Sequence, residues 1–94
     1  MSIGLLTLHL RFPGCASLKE KRSHLKPLLA RLHRQFNISV AEIGAQDSWT
    51  EAIVACALVS NAGVQTRRAL QEVVRWTEHH FPDIEILEDR LEII

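Results

Sequence analysis

The first third of the chain changes from an alternating pattern of apolar residues to a helical one. In residues 3–11 (IGLLTLHLR), Leu6, Leu8 and Leu10 recur at every second position, which is the period of a β-strand with one buried face. Phe-Pro-Gly at 12–14 breaks the strand. From 18 to 36 the apolar residues have helical spacing, and Asn37 ends the segment. The pattern predicts a strand followed by a long helix.

The rest of the chain predicts three more strands and a second helix. The segment 38–44 is rich in β-branched residues and has the length of a strand. The segment 51–60 (EAIVACALVS) is apolar on both faces, as a central strand would be. In the segment 84–88 (IEILE) apolar and acidic residues alternate. Ser60-Asn61 offers an N-cap for a helix over 64–80, which Phe81-Pro82 ends. At 94 residues the chain predicts one α+β domain over 1–94. The order β-α-β-β-α-β predicts a ferredoxin-like fold, a four-stranded antiparallel sheet with two helices on one face.

Such a sheet leaves its second face open. Residues of the first strand that alternate with its buried leucines, together with alternate residues of the third strand, would make this face largely apolar, and such a surface usually marks a partner. Trp49, in the predicted hairpin loop, either covers one end of the core or anchors an interface. The expected partner is a second copy of the chain. The interface candidates are Leu5, Thr7, His9, Val54, Cys56, Leu58 and Trp49.

The net charge is zero, but the charges are unevenly distributed. Residues 1–36 hold seven Lys or Arg and one acid, whereas residues 37–94 hold four Arg and ten acids, five of them within 83–94. This asymmetry would attract an anionic partner to the first helix, or would let the basic part of one copy meet the acidic part of another.

The basic residues concentrate in SLKEKR, residues 17–22. Ser17 and Glu20 form a capping box, which is a structural role. The lysines and arginine oppose the helix dipole, and a helix start favours phosphate. At 100° per residue one ridge beside the apolar stripe is formed by Arg22, His33, Lys26 and Lys19. This ridge is either a solvated flank or a surface for RNA or another anion. The anion-binding candidates are Lys19, Lys21, Arg22, Lys26 and His33.

Two residues of this helix need a further explanation. Arg22 has the spacing of the core stripe, so it would reach solvent from the sheet edge or pair with a carboxylate or ligand. Pro27 removes a backbone donor and clashes with the carbonyl of Ser23, so we expect a kink, or a main helix that begins at Pro27.

The sequence offers no clear sign of catalysis or of a metal site. The five histidines lack metal-ligand spacing, so we expect no metal and no cofactor. No nucleophile lies in a recognisable elbow or glycine-rich turn, so we expect no catalytic residue. Cys15 and Cys56 are expected to be reduced thiols. No run of residues is apolar enough to span a bilayer, and no signal peptide is recognisable, so we expect no membrane partner and a cytoplasmic location.

The motifs PGCASLKEKR, NISVAE, QDSW and VSN, in this order, resemble those of the YlxP-like family of small bacterial proteins. The resemblance covers nearly the whole chain and implies a ferredoxin-like fold. Genes of this family often lie near genes for translation initiation and ribosome maturation, so the resemblance implies a connection with RNA or the ribosome. Pro27 and the Thr50-Glu51 pair depart from the family pattern, and an acid at Glu51 weakens an RNA surface that extends to the hairpin.

These observations lead to one hypothesis and two alternatives. The hypothesis is a non-enzymatic, translation-linked module that binds RNA, a ribosomal subunit or another anionic partner through its basic first helix and forms a homo-oligomer through its open sheet face. The first alternative is a homo-oligomeric interaction domain without nucleic-acid binding. The second is a small hydrolase of the acylphosphatase type, although the phosphate loop and hairpin asparagine of that chemistry are absent from the sequence.

Overall fold

The computed structural model describes residues 1–94 and has the element order β-α-β-β-α-β. The first half contains β1 (Ser2–Arg11), α1 (Leu18–Phe36) and β2 (Ser39–Gly44), and the second contains β3 (Glu51–Ser60), α2 (Gly63–His80) and β4 (Glu85–Ile93). The strands form one antiparallel sheet in the order β2-β3-β1-β4. The ferredoxin-like fold predicted from the sequence is therefore confirmed.

One face of the sheet and both helices enclose a single core. Leu6, Leu8 and Leu10 of β1 are fully buried, and in the β1–β3 register they stand opposite Cys56, Val54 and Ala52. Each helix buries an apolar stripe against this face, with Leu25, Leu28 and Leu32 from α1 and Leu70 and Val73 from α2. The helices therefore lie on the same side of the sheet, and the second face is left without a covering layer.

The predicted boundaries differ from the observed ones mainly in the last strand. β4 continues to Ile93, five residues beyond the predicted end at residue 88, because the charged segment after Glu88 pairs with β1. The N-cap of α2 is Ala62 rather than Ser60-Asn61, and no side chain caps it. Asn37 ends α1 in the left-handed conformation, with φ of 49°, which asparagine tolerates better than most residues.

The first helix runs without interruption from Leu18 to Phe36, with Pro27 inside it. Of the two expectations for Pro27, the alternative of a main helix that begins at this residue is therefore wrong. Pro27 is exposed, so its ring lies on the solvent side of the helix. Neither α1 nor α2 has the length and apolarity that a membrane crossing requires.

Candidate anion-binding surface

The first turn of α1 is fixed by its own side chains. The Ser17 hydroxyl accepts a hydrogen bond from the Glu20 amide at 3.1 Å, and the Glu20 carboxylate accepts one from the Ala16 amide at 2.9 Å. This is a capping box displaced by one residue, because the carboxylate reaches the amide before the N-cap residue. Ser17 and Glu20 therefore hold the start of the helix rather than a ligand.

Lys21 is fully buried, so the prediction that it contacts phosphate is wrong. Its ammonium donates to the carbonyl of Ala45 at 3.0 Å and to that of Glu51 at 2.9 Å. A Glu42 carboxylate oxygen lies 3.5 Å from the same nitrogen and has no hydrogen-bond partner. A buried ammonium needs such a set of acceptors to offset its lost hydration. Lys21 therefore ties α1 to both ends of the β2–β3 loop.

Three other basic residues of α1 remain available to a ligand. Lys19, Arg22 and Lys26 are exposed and line a shallow hollow of about 560 Å³, together with Ser23 and Pro27. None of the three cations forms an ion pair with a carboxylate. From residue 19 to residue 26 this basic hollow extends about 10 Å along the helix axis at 1.5 Å per residue. The arrangement presents three free positive charges on one side of a helix.

Arg22 does not belong to the core stripe as predicted. The buried positions of α1 are Lys21, Leu25, Leu28 and Leu32, and this stripe lies about a quarter turn from Arg22. Arg22 therefore reaches solvent directly and needs no carboxylate partner inside the protein. The position with core spacing is that of Lys21, and this spacing is the signal that identifies it as a structural lysine.

His33 lies apart from the basic hollow. Its ring nitrogen Nδ1 is 2.7 Å from the carbonyl of Ile38, which it contacts across the turn between α1 and β2. Arg31, farther round the helix, places its guanidinium 5.0 Å from the centre of the Trp76 ring and 5.1 Å from that of Phe81. Both residues hold parts of the fold together, so the candidate surface is limited to the first half of α1.

Trp49 is 56% exposed, so it does not cover an end of the core. It lies in the β2–β3 loop, whose two ends are the residues that Lys21 binds through their carbonyls. The loop is thereby attached to the same end of α1 that carries Lys19 and Arg22. An exposed indole thus lies at the end of the molecule where the basic hollow begins.

The open sheet face differs from the predicted one in its third strand. Val54 and Cys56 are fully buried beneath the helices, and Leu58 is partly buried against the same core, so their assignment to the interface is wrong. Burial raises the pKa of the Cys56 thiol to about 12. The register places Ile53, Ala55, Ala57 and Val59 on the open face, opposite His9, Thr7, Leu5 and Ile3.

The open face is apolar on one side and charged on the other. Ile43 on β2 and Val59 on β3 are 57% and 62% exposed. Towards β4 the face is polar. Arg11 of β1 pairs with Glu85 of β4 at 3.1 Å. At the end of the face where β1 meets the start of β3, the His9 ring nitrogen Nε2 lies 2.5 Å from a Glu51 carboxylate oxygen. His9 thus has an intramolecular partner, and the apolar part of this face is confined to β2, β3 and the first half of β1.

The fold and this surface define a class of protein, namely a small α+β protein of ferredoxin-like fold with unpaired cations on its first helix. The chain belongs to the family described as "Protein of unknown function (DUF503)", which matches residues 3–90. It is 46% identical over 69 residues to "Uncharacterized protein YlxP" of Bacillus subtilis (strain 168), an alignment that covers 73% of this chain and 74% of that protein. The predicted membership of a YlxP-like family is therefore confirmed.

One solved structure with a similar fold is "De novo designed protein Foldit4". It has a TM-score of 0.55 and 13% sequence identity, and the alignment covers 98% of this chain and 96% of that one. At this identity the similarity concerns the fold alone.

Proposed function

We propose that this protein is a non-enzymatic RNA-binding module, linked to translation or the ribosome, which contacts the phosphate backbone through Lys19, Arg22 and Lys26. The observation that carries the proposal is that these three cations share one exposed hollow and have no carboxylate partner. Such cations bind a phosphate backbone by electrostatic attraction, which does not require a deep or closely fitting pocket.

The helix dipole gives a second argument. Lys19 lies in the first turn of α1, where a positive side chain is unfavourable by about 0.3 to 1 kcal/mol. Its neighbours Ser17 and Glu20 already cap the helix, so Lys19 has no structural task there. An anionic partner would turn this local cost into a favourable interaction, because phosphate is attracted by the ammonium.

Trp49 supports RNA in particular among anionic partners. Single-stranded RNA is held by cations that follow its backbone and by aromatic rings on which bases stack. The sheet face offers no aromatic residue, since its exposed positions on β1 and β3 are aliphatic, small or polar. Trp49 provides an exposed ring on the loop that Lys21 attaches to the first half of α1. We therefore propose that bases stack on Trp49 while the phosphates contact the basic hollow.

Self-association through the open sheet face is the second part of the proposal. Ile43 and Val59 expose most of their side chains on the β2–β3 side of this face, and a second copy would bury them. This surface lies on the other side of the sheet from α1. The two interactions are therefore compatible, and a homo-oligomer without RNA binding is the alternative function.

The test compares two triple variants with the same change in net charge. In the first, Lys19, Arg22 and Lys26 are replaced by Glu; in the control, the exposed Arg34, Arg67 and Arg68 are replaced by Glu. Binding to a single-stranded RNA and to purified ribosomal subunits is measured across a salt series, and the mass in solution is recorded in the same buffers.

We expect the first variant to lose on the order of tenfold or more in affinity at low salt. The slope of log affinity against log salt should become less steep by about 2, because three phosphate contacts are lost. The control variant should keep most of the affinity, and both should keep the mass of the unchanged protein. Equal losses in the two variants would contradict a localised surface, and absence of binding at low salt would leave the self-associating domain as the function.

A further inference from the structure

Three potential metal ligands from two elements meet beside the start of α1. The Cys15 thiol, the Glu20 carboxylate and the His24 imidazole each place one ligand atom within 4.8 Å of the other two. Cys15 is buried in the loop between β1 and α1, whereas Glu20 and His24 are exposed on the helix. This cluster lies outside the basic hollow. Cys15 packs at the edge of the hydrophobic core, whereas the His24 ring forms no hydrogen bond or ion pair within the protein.

The local structure explains why the three groups converge. Glu20 and His24 are four residues apart, so their side chains lie on the same side of the helix. The capping interaction turns the Glu20 side chain back towards the preceding loop, where one of its oxygens accepts from the Ala16 amide. Gly14, with φ of 81°, makes the turn that brings Cys15 beside the helix, in a conformation that glycine adopts without strain.

We propose that Cys15, Glu20 and His24 form a binding site for a divalent transition metal of the Zn²⁺ type. Thiolate, imidazole and carboxylate are the ligands that zinc takes in proteins, and three protein ligands leave a fourth position for water. Tetrahedral zinc would hold its ligand atoms roughly 3.3 to 3.8 Å apart, given metal–ligand bonds of about 2.0 to 2.3 Å. The observed ligand atoms lie within 4.8 Å of one another, so the side chains would have to close by up to about 1 Å to hold the metal.

The surroundings of Cys15 favour the neutral thiol over the thiolate. Burial, and after it the negative charge of Glu20, raise the pKa of the Cys15 thiol, while Lys21 acts in the opposite direction. The thiol is therefore protonated at neutral pH, and the metal replaces its proton, which passes to solvent, as the sulfur–metal bond forms.

Metal binding would join the loop after β1 to the first two turns of α1. Because the three ligands come together only in the folded chain, bound metal would stabilise the folded state by mass action. This site is independent of the proposed RNA surface, and either could exist without the other.

The test uses Co²⁺ as a spectroscopic probe, with Zn²⁺ added in competition, on the full chain kept reduced by a reagent that binds no metal. We expect a sulfur-to-cobalt charge-transfer band at one ion per chain, its displacement by Zn²⁺, and a Zn²⁺-dependent rise in Tm. Cys15→Ser should abolish the band, and His24→Ala should lower the affinity by about tenfold or more. His79→Ala, an exposed histidine on α2, is the control and should bind as the unchanged protein does.

Glu20→Gln separates the metal site from the helix cap. Glutamine also serves in a capping box, so the fold should be kept while the metal affinity falls. Absence of the charge-transfer band in the unchanged protein would overturn the proposal, as would a band that persists in Cys15→Ser. Unaltered affinity in both Glu20→Gln and His24→Ala would do the same.

Discussion

At the scale of single residues, Lys21 shows that charge alone does not identify a binding residue. It lies between Glu20, which caps the helix, and Arg22, which faces solvent, yet its ammonium is buried and binds two backbone carbonyls. These acceptors are 24 and 30 residues away in sequence. No local pattern could therefore reveal them, although the helical position of Lys21 in the core stripe indicated burial.

Replacing Lys21 by Met should destabilise the protein by about 3 to 5 kcal/mol, because it leaves the buried Glu42 carboxylate and two carbonyls without their partner. Lys19→Met, an exposed lysine two residues earlier, should change the free energy of unfolding by less than about 0.5 kcal/mol. Urea unfolding of both variants measures the difference. Equal stability of the two variants would show that Lys21 is not the structural link described above.

The sequence pattern of β3 was also insufficient to show which of its residues face the helices. The segment EAIVACALVS is apolar at almost every position, so alternation could not decide which residues face the helices. The pairing of Leu8 with Val54 decides it, because directly paired residues point to the same side of the sheet. That pairing is a tertiary contact, and the interface assignment of Val54 and Cys56 failed for this reason.

At the scale of elements, α2 approaches β1 closely at one position. A Cβ atom at Gly4 would lie 2.3 Å from Cγ2 of Thr66 and 2.7 Å from Cδ1 of Leu70. Both neighbours are fully buried, so they have little room to move. Glycine at this position in β1 is therefore required by packing rather than by backbone conformation.

Gly4→Ala should destabilise the protein by about 1 to 3 kcal/mol, since the added methyl group would push α2 away from the sheet. Gly63→Ala is the matched control, because a Cβ there would meet only Ser2 Oγ at 3.8 Å and alanine favours the helix. We expect the control to be neutral or slightly stabilising in thermal unfolding. A Gly4→Ala variant as stable as the control would contradict the close approach.

The helices were the elements that the sequence predicted best. Both have a regular apolar stripe and a clear end, at Asn37 and at Phe81-Pro82. β4 was predicted too short because its second half carries alternating charges that are typical of solvent. In the sheet these residues belong to an edge strand. Their charged side chains are exposed to solvent, while the backbone pairs with β1.

At the scale of the whole molecule, the uneven charge of the sequence becomes a spatial division. The cations of the basic hollow lie on α1, on the helical side of the sheet, and the acids of the last segment lie along the β4 edge. The charge pattern identified a basic helix, but only the structure shows how many of its cations are free to bind a ligand. Of the five anion-binding candidates, Lys21 is used internally and His33 contacts the turn after α1, so three remain in the basic hollow.

The most direct measurement for the whole account is a titration of the ¹⁵N-labelled protein with single-stranded RNA, followed by the shifts of individual amide resonances. The account predicts shifts concentrated at Lys19, Arg22, Ser23 and Lys26 and at the Trp49 indole, with the amides of Thr7 and Ile53 on the open sheet face unchanged. Shifts concentrated on the open face, or none at low salt, would contradict the proposal that α1 is the RNA-binding surface.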